Sequence, residues 1–343
     1  MDVLRVPEAL SQLLGQLEAA DRLVLLGDVV ELRQAPAGAA LSAAEPILAS
    51  IGQALGESAE VVVVPGNHDH NLLAAWFARR SLALNSSPLD LQTEITWQDA
   101  EPLAAVAQAL APAHVQVRYP GVWLGEGVYA THGHYCDVHT TVPMLERLAA
   151  GAMAQMLGFN SRGPARSEDY EAILSPVYAW IDALAQHGGP RLARASHGTS
   201  AQIWRTLEDA RKARGLRGSA TIGGFRLLVA ALNRMRLRPL KADVSAPELR
   251  RAGLKAFSEV LERLEVSADH VIFGHTHRAG PLAGDEPHEW QATGTQLLNT
   301  GCWVRETPPG RTNNPYRPGF AVLLDGDDPP ELVNLLDRRP GPA

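Results

Sequence analysis

Four short segments of this 343-residue chain place metal-capable side chains directly after an apolar run. They are Gly27-Asp28, Gly66-Asn67-His68-Asp69, Thr131-His132-Gly133-His134 and Gly274-His275-Thr276-His277. Carboxylate, amide oxygen and imidazole donors suit Mn, Fe, Zn or a similar divalent ion rather than a thiolate-bound structural zinc. A glycine just before a ligand permits a sharp exit from the strand and a close approach of backbone. Each segment alone has an ordinary explanation. Gly-Asp is a common turn, Asn67 and Asp69 could cap a helix starting near residue 71, and His275 and His277 could be surface groups. Their joint occurrence, in this order, points to a metal centre at the ends of strands, where loops of a layered α/β sheet converge.

The elements that must position these groups are legible from periodicity. Leu10, Leu13, Leu14 and Leu17 recur at helical spacing over 7–20, behind Pro7 and Glu8. "RLVLLGD" reads as a buried strand, 42–55 as a helix with Ile47, Leu48, Ile51 and Leu55 inward, and "EVVVVPGNHDH" as a second strand whose valine run implies burial on both faces. A helix over 71–80 and a less regular stretch precede a hairpin, "GVWLGEGVYATHGHY", ending at His132. From 141 to 265 the pattern turns helical, with helices expected over 141–157, 168–186, 199–213, 221–237 and 247–265. The last opens on the capping box Ser245-Ala-Pro-Glu248. Strands resume at "HVIFGHTHRAG", "TQLLNTGCWV" and "GFAVLLDG", the last turning into "ELVNLLD". The expected organisation is an α/β domain over 1–139 and 265–343, interrupted by a helical insert over 140–264.

Composition sets the outer bounds. With 45% hydrophobic and 20% charged residues the chain is an ordinary globular protein. Its net charge of −7 argues against a general nucleic-acid binder, and no specific nucleic acid is expected as a partner. The charge is uneven: residues 141–260 carry 18 Lys and Arg against 10 Asp and Glu, so the rest of the chain is strongly acidic. A basic segment in an acidic body suits either an anionic partner or a solvated helical surface. Two cysteines, Cys136 and Cys302, are too few for a disulfide framework. With no apolar run long enough to span a bilayer and no signal-peptide pattern, the expected location is the cytoplasm.

The motifs "LLGDVVE", "VPGNHDH", "THGH" and "FGHTH" resemble the second to fifth motifs of the calcineurin-like metallophosphoesterase superfamily, in order and at compatible spacing. The resemblance covers roughly residues 20–140 and 265–330. "HGHYCD" and "LLNTGCWV" look similar to the branch containing UDP-2,3-diacylglucosamine diphosphatases. His68 stands where that branch has arginine, so its lipid substrate does not carry over. The resemblance implies a four-layer α/β/β/α sandwich with an inserted helical subdomain and a dinuclear metal centre. It implies Asp28 as the bridging ligand, Asn67, His132 and His275 around the second metal, and His277 at the first. It also implies hydrolysis of a phosphomonoester, phosphodiester or pyrophosphate bond by a metal-bound hydroxide. His68 would stabilise or protonate the leaving oxygen, Asp69 would orient a loop amide or imidazole, and Glu31 and His134 would act as outer partners. The remaining histidines, His70 among them, match no motif and read as structural or surface groups.

The superfamily's first motif, Asp-X-His, has no counterpart before "LVLLGD", and no histidine precedes His68. Three explanations stand: a truncated or misassigned start, a variant with one metal or substituted ligands, and a non-catalytic descendant acting as a binding or membrane-surface scaffold. On any of them, one metal position is well liganded in the sequence as it stands. Residues 221–241, "TIGGFRLLVAALNRMRLRPLK", carry an apolar face with arginines towards its end. This is either a helix packed within the insert or a lid contacting the inner membrane surface peripherally or covering a phosphorylated small-molecule or lipid-like substrate.

Overall fold

The computed structural model describes residues 2–84, 86–141, 145–159, 163–187, 246–305 and 314–337. They fall into two compact units. The first comprises Met1–Leu32, Pro36–His134 and Ser267–Ala343; the second comprises Arg33–Ala35 and Tyr135–Val266.

The first unit is the α/β body. Helix α1 (Pro7–Leu17) begins with proline in its first turn, where a missing N–H costs nothing. Strand β1 (Arg22–Leu26) follows, then α2 (Ala37–Leu55), β2 (Glu60–Val64), a 3-10 turn over His70–Leu73 and α3 (Ala74–Leu82). Next come β3 (Gln92–Glu94), α4 (Pro102–Ala109), β4 (His114–Gly125) and β5 (Val128–Thr131). The late strands are β6 (His270–Phe273), β7 (Ala279–Gly280), β8 (Gln291–Ala292), β9 (Thr295–Thr300), β10 (Phe320–Leu323) and β11 (Glu331–Asn334). Among the described residues the hydrogen-bonded order is β1-β2-β4-β5-β6-β9-β7, with β3 on β4 and β8 on β9. β10 and β11 form a separate antiparallel pair.

The register explains how this sheet becomes two layers. β1, β2 and the first part of β4 run parallel, with Leu26 opposite Val64 and Val63 opposite Val117. Beyond Arg118, β4 changes partners and pairs antiparallel with β5, Gly121 opposite Thr131. β5, β6 and β9 are then parallel. The valine run on β2 serves both faces. Val61 and Val63 pack with Leu13, Leu17, Leu48, Ile51, Leu55, Leu103 and Val106 of the helices. Val62 and Val64 pack with Val122, Ala130, Ile272 and Leu298 of the later strands. Helices thus cover one face of the first layer and the second layer covers the other, which is the layered α/β sandwich expected. All four valines are 0% exposed, so the both-faces reading of "VVVV" holds.

Some expectations need correction. β1 was expected to be buried, yet Leu23 to Leu26 remain half-buried, because β1 bonds to β2 alone among the described strands and lies at the end of the sheet path. α2 starts at Ala37 rather than 42, and carries Pro46 internally. The helix expected over 71–80 is a 3-10 turn followed by α3. The stretch read as irregular contains α4, whose proline start and Leu103, Val106 and Leu110 spacing are helical signals.

The second unit is helical: α5 (Leu145–Met156), α6 (Ser167–His187) and α7 (Ala246–Arg263). Its core includes Tyr170, Ile173, Leu174, Phe257 and Val260. The Tyr135 ring stacks on Tyr170 at 4.7 Å, and its hydroxyl donates to Glu171 at 2.7 Å. The helices expected over 199–213 and 221–237, and the basic stretch 221–241, lie outside the described residues.

Candidate metal centre

Asp28 follows the C-terminal end of β1, Asn67 that of β2, His132 that of β5 and His275 that of β6. The parallel pairings β1–β2 and β5–β6 bring these ends to common levels within each layer. Four donor atoms meet there. Asn67 Oδ1 is 3.1 Å from His132 Nε2 and 3.1 Å from His275 Nδ1. Asp28 Oδ2 lies 3.4 Å from His132 Nε2. This close approach needs the glycines. A β-carbon on Gly66 would sit 2.8 Å from both the Asp28 amide nitrogen and His132 Cδ2, and one on Gly27 would overlap the His132 ring.

The protonation state of His132 shows what this set of atoms suits. Burial pushes its pKa down to about 4, against the pull of Asp28, so the ring is neutral at neutral pH. Its single proton is on Nδ1, which donates to the Leu26 carbonyl at 3.0 Å. Nε2 therefore presents a lone pair to Asn67 Oδ1 and to Asp28. Burial alone would raise the Asp28 pKa, but His132, His68, His275 and the His68 amide together hold it far below the usual carboxylate range. Asp28 is thus ionised, and a carboxylate, an amide oxygen and an imidazole lone pair converge without a proton between them. The group that fits them is a cation with oxygen and imidazole affinity.

The surroundings hold this set in place. Asp69 is fully buried and its carboxylate takes four backbone amides. Oδ1 accepts from Gly66 at 2.6 Å and Asp28 at 3.3 Å, and Oδ2 accepts from Val29 at 2.7 Å and Val30 at 3.4 Å. It joins the Asp28 loop to the Asn67 loop, and makes no cap bond to the 3-10 turn after it. Burial, and secondarily the charge of Asp28, raise its pKa to about 6. His68 donates its backbone N–H to Asp28 Oδ1 at 2.9 Å, and its Nδ1 lies 2.8 Å from Glu31 Oε2.

The donor quartet is complete without His277, which follows two residues after His275 on the same loop and is half-buried. His134 is buried, with Nε2 3.0 Å from the Tyr119 hydroxyl and its ring against Tyr119 and His70. Burial pushes its pKa well down, so it is a neutral ring in an aromatic cluster behind His132. His70, read as structural or surface, is buried and stacks on Phe77 in that cluster.

The backbone at the site is unusual. Five non-glycine residues among those described have positive φ, and three of them are Asp28 (55°), His275 (62°) and His277 (58°). A left-handed residue with a β-carbon costs on the order of 1–2 kcal/mol, and such residues concentrate where geometry is imposed for function. Sequence reasoning missed Asn299, whose buried amide ties the His275 loop; its only trace was the fragment "LLNTGCWV", singled out without a role.

A layered α/β unit with oxygen and imidazole donors gathered at its strand ends is the scaffold of a metallohydrolase. A sequence model of the calcineurin-like phosphoesterases matches residues 5–279, and the chain belongs to that family of metal-dependent phosphoesterases. No curated protein and no solved structure matches the chain significantly.

Proposed function

We propose that this chain hydrolyses a phosphomonoester, phosphodiester or pyrophosphate bond in a phosphorylated small-molecule or lipid-like substrate. The observation that carries this reading is the proton-free convergence of Asp28 Oδ2, Asn67 Oδ1 and His132 Nε2, with His275 Nδ1 on the same amide oxygen. These four residues would hold a divalent ion, and His277 would contribute to a second. A bound ion supplies charge neutralisation for phosphate oxygens and acidifies water for attack.

The protein's own groups account for the rest. His68 is held at two points, by its amide on Asp28 and by Nδ1 beside Glu31, which fixes its ring next to the Asp28 loop. Oriented by Glu31, the His68 ring would give a proton to the departing oxygen. Asp69 keeps the two ligand loops together and does not need to touch substrate.

The test is a panel of p-nitrophenyl phosphate, bis(p-nitrophenyl) phosphate and a nucleotide-linked pyrophosphate, assayed on metal-stripped protein with and without Mn. Turnover of at least one that needs Mn and falls about 100-fold in His68→Ala supports the reading. Mn binding without turnover of any would favour a binding scaffold instead.

A further inference from the structure

We propose that Asn299 is a positioning residue that holds His275 in ligand geometry; this rests on the metal-centre reading above. Asn299 lies on β9 opposite Phe273, the last residue of β6, and is 1% exposed. Its side chain is committed entirely to the turn that carries His275 and to its own strand's exit. Nδ2 donates to the Gly274 carbonyl at 3.1 Å and to Thr276 Oγ1 at 2.8 Å, and Oδ1 accepts from the Gly301 amide at 2.8 Å.

The two Nδ2 bonds grip the residues on either side of His275. Between them the Thr276 amide donates back to the Gly274 carbonyl at 2.7 Å, closing a three-residue turn with His275 at its centre. With φ of 62° there, this is the γ-turn form that is rare and strained. A histidine has no intrinsic reason to stay in it. The Gly274 carbonyl is held by two donors, and Thr276 cannot swing away while its hydroxyl is tied to the same amide. Without these ties His275 can relax to ordinary backbone angles, which carries its Nδ1 away from Asn67 Oδ1. Asn299 therefore acts on metal affinity through His275 and touches neither ion nor substrate.

Two variants test this in metal-stripped protein titrated calorimetrically with Mn. Asn299→Ala removes the whole clamp; Thr276→Val keeps the shape of an exposed residue and removes only the hydroxyl. Circular dichroism confirms that each is folded at the titration temperature. The expected result is a rise in Mn Kd of about tenfold for Asn299→Ala and about threefold for Thr276→Val. A Co-loaded sample should show an altered visible absorption spectrum. A role in stability alone would lower the melting temperature and leave Kd and spectrum as in the wild type; that outcome overturns the inference. If Asn299→Ala does not fold, Thr276→Val decides: an unchanged Kd overturns the inference and a raised one supports it. Failure of the wild-type protein to bind Mn would instead sink the metal-centre reading itself.

Discussion

Replacing Asp69 by Asn should change how the stability of the metal-free protein depends on pH, by an amount the structure lets us work out. The wild-type carboxyl is buried beside the charge of Asp28, and its pKa stands at about 6 against 3.8 for the ordinary group. A gap of roughly two units corresponds to about 3 kcal/mol. Because the folded-state value is the higher one, the folded protein binds the proton more tightly. The contribution is therefore fully present below the unfolded pKa and is lost as pH rises through about 6. An amide has no such proton, so Asp69→Asn should lack this component.

The amide also has a structural cost. Both carboxylate oxygens accept amides, at 2.6 and 2.7 Å in the shorter pairs, and Asn can present only one oxygen. One short bond is lost and a donor then faces a donor, at about 1–3 kcal/mol. The wild-type carboxyl bears the same loss once protonated, and near pH 7 its folded pKa of about 6 already balances the amide bonds against the buried charge, so the Asn variant should be the more stable there by about 3 kcal/mol. Near pH 4 the wild-type carboxyl is itself protonated and, like the amide, offers one accepting oxygen, so the two proteins should be similar in stability. Urea unfolding in EDTA at several values between about pH 4 and pH 7 measures both curves. A difference that stays constant within about 0.5 kcal/mol across this range would refute the burial and charge argument for Asp69.

Other outcomes follow from the same geometry. If Glu31 acts by orienting His68, Glu31→Gln should lower kcat about 10–100-fold with little change in KM; steady-state kinetics on whichever panel substrate is turned over will check it. Gly66→Ala should abolish measurable Mn binding in calorimetry, because the added carbon meets Asp28 and His132 and the Asp28 backbone cannot yield. If the stretch 221–241 contacts a membrane, the full chain should sediment with vesicles containing anionic lipid at low salt and be released as salt rises; absence of binding at low salt removes that version.

What could be read from the sequence was local. An apolar run, a glycine and a metal-capable side chain stand within a few residues of one another, so Asp28, Asn67, His132 and His275, which the fold brings together, could be singled out as candidates before any geometry. Their partners were not, because these lie far along the chain. The Leu26 carbonyl that fixes the His132 tautomer is 106 residues away, and the Glu31 partner of His68 is 37 away. Asp69 could be read equally well as a helix cap, since a carboxylate before a turn has the same local signature in both cases. Asn299 reaches His275 only through the β6–β9 pairing, which periodicity cannot supply. The half-exposure of β1 escaped for a similar reason: hydrophobicity says what a strand prefers, and its neighbours determine what it receives.

The distribution of strain connects these separate partners. Left-handed backbone at Asp28 and His275 would normally relax, yet each lies in a loop held by a buried polar side chain from elsewhere in the chain. For Asp28 that side chain is Asp69, which bonds its amide and those of the next two residues. For His275 it is Asn299, which bonds the residues on either side. Neither is among the donor atoms gathered at the strand ends, so both loops are held by side chains other than the candidate ligands. A site built in this way spends little of an ion's binding energy on ordering its ligands. The donor atoms face one another at 3.1 to 3.4 Å, and a divalent ion between them would offset their mutual repulsion.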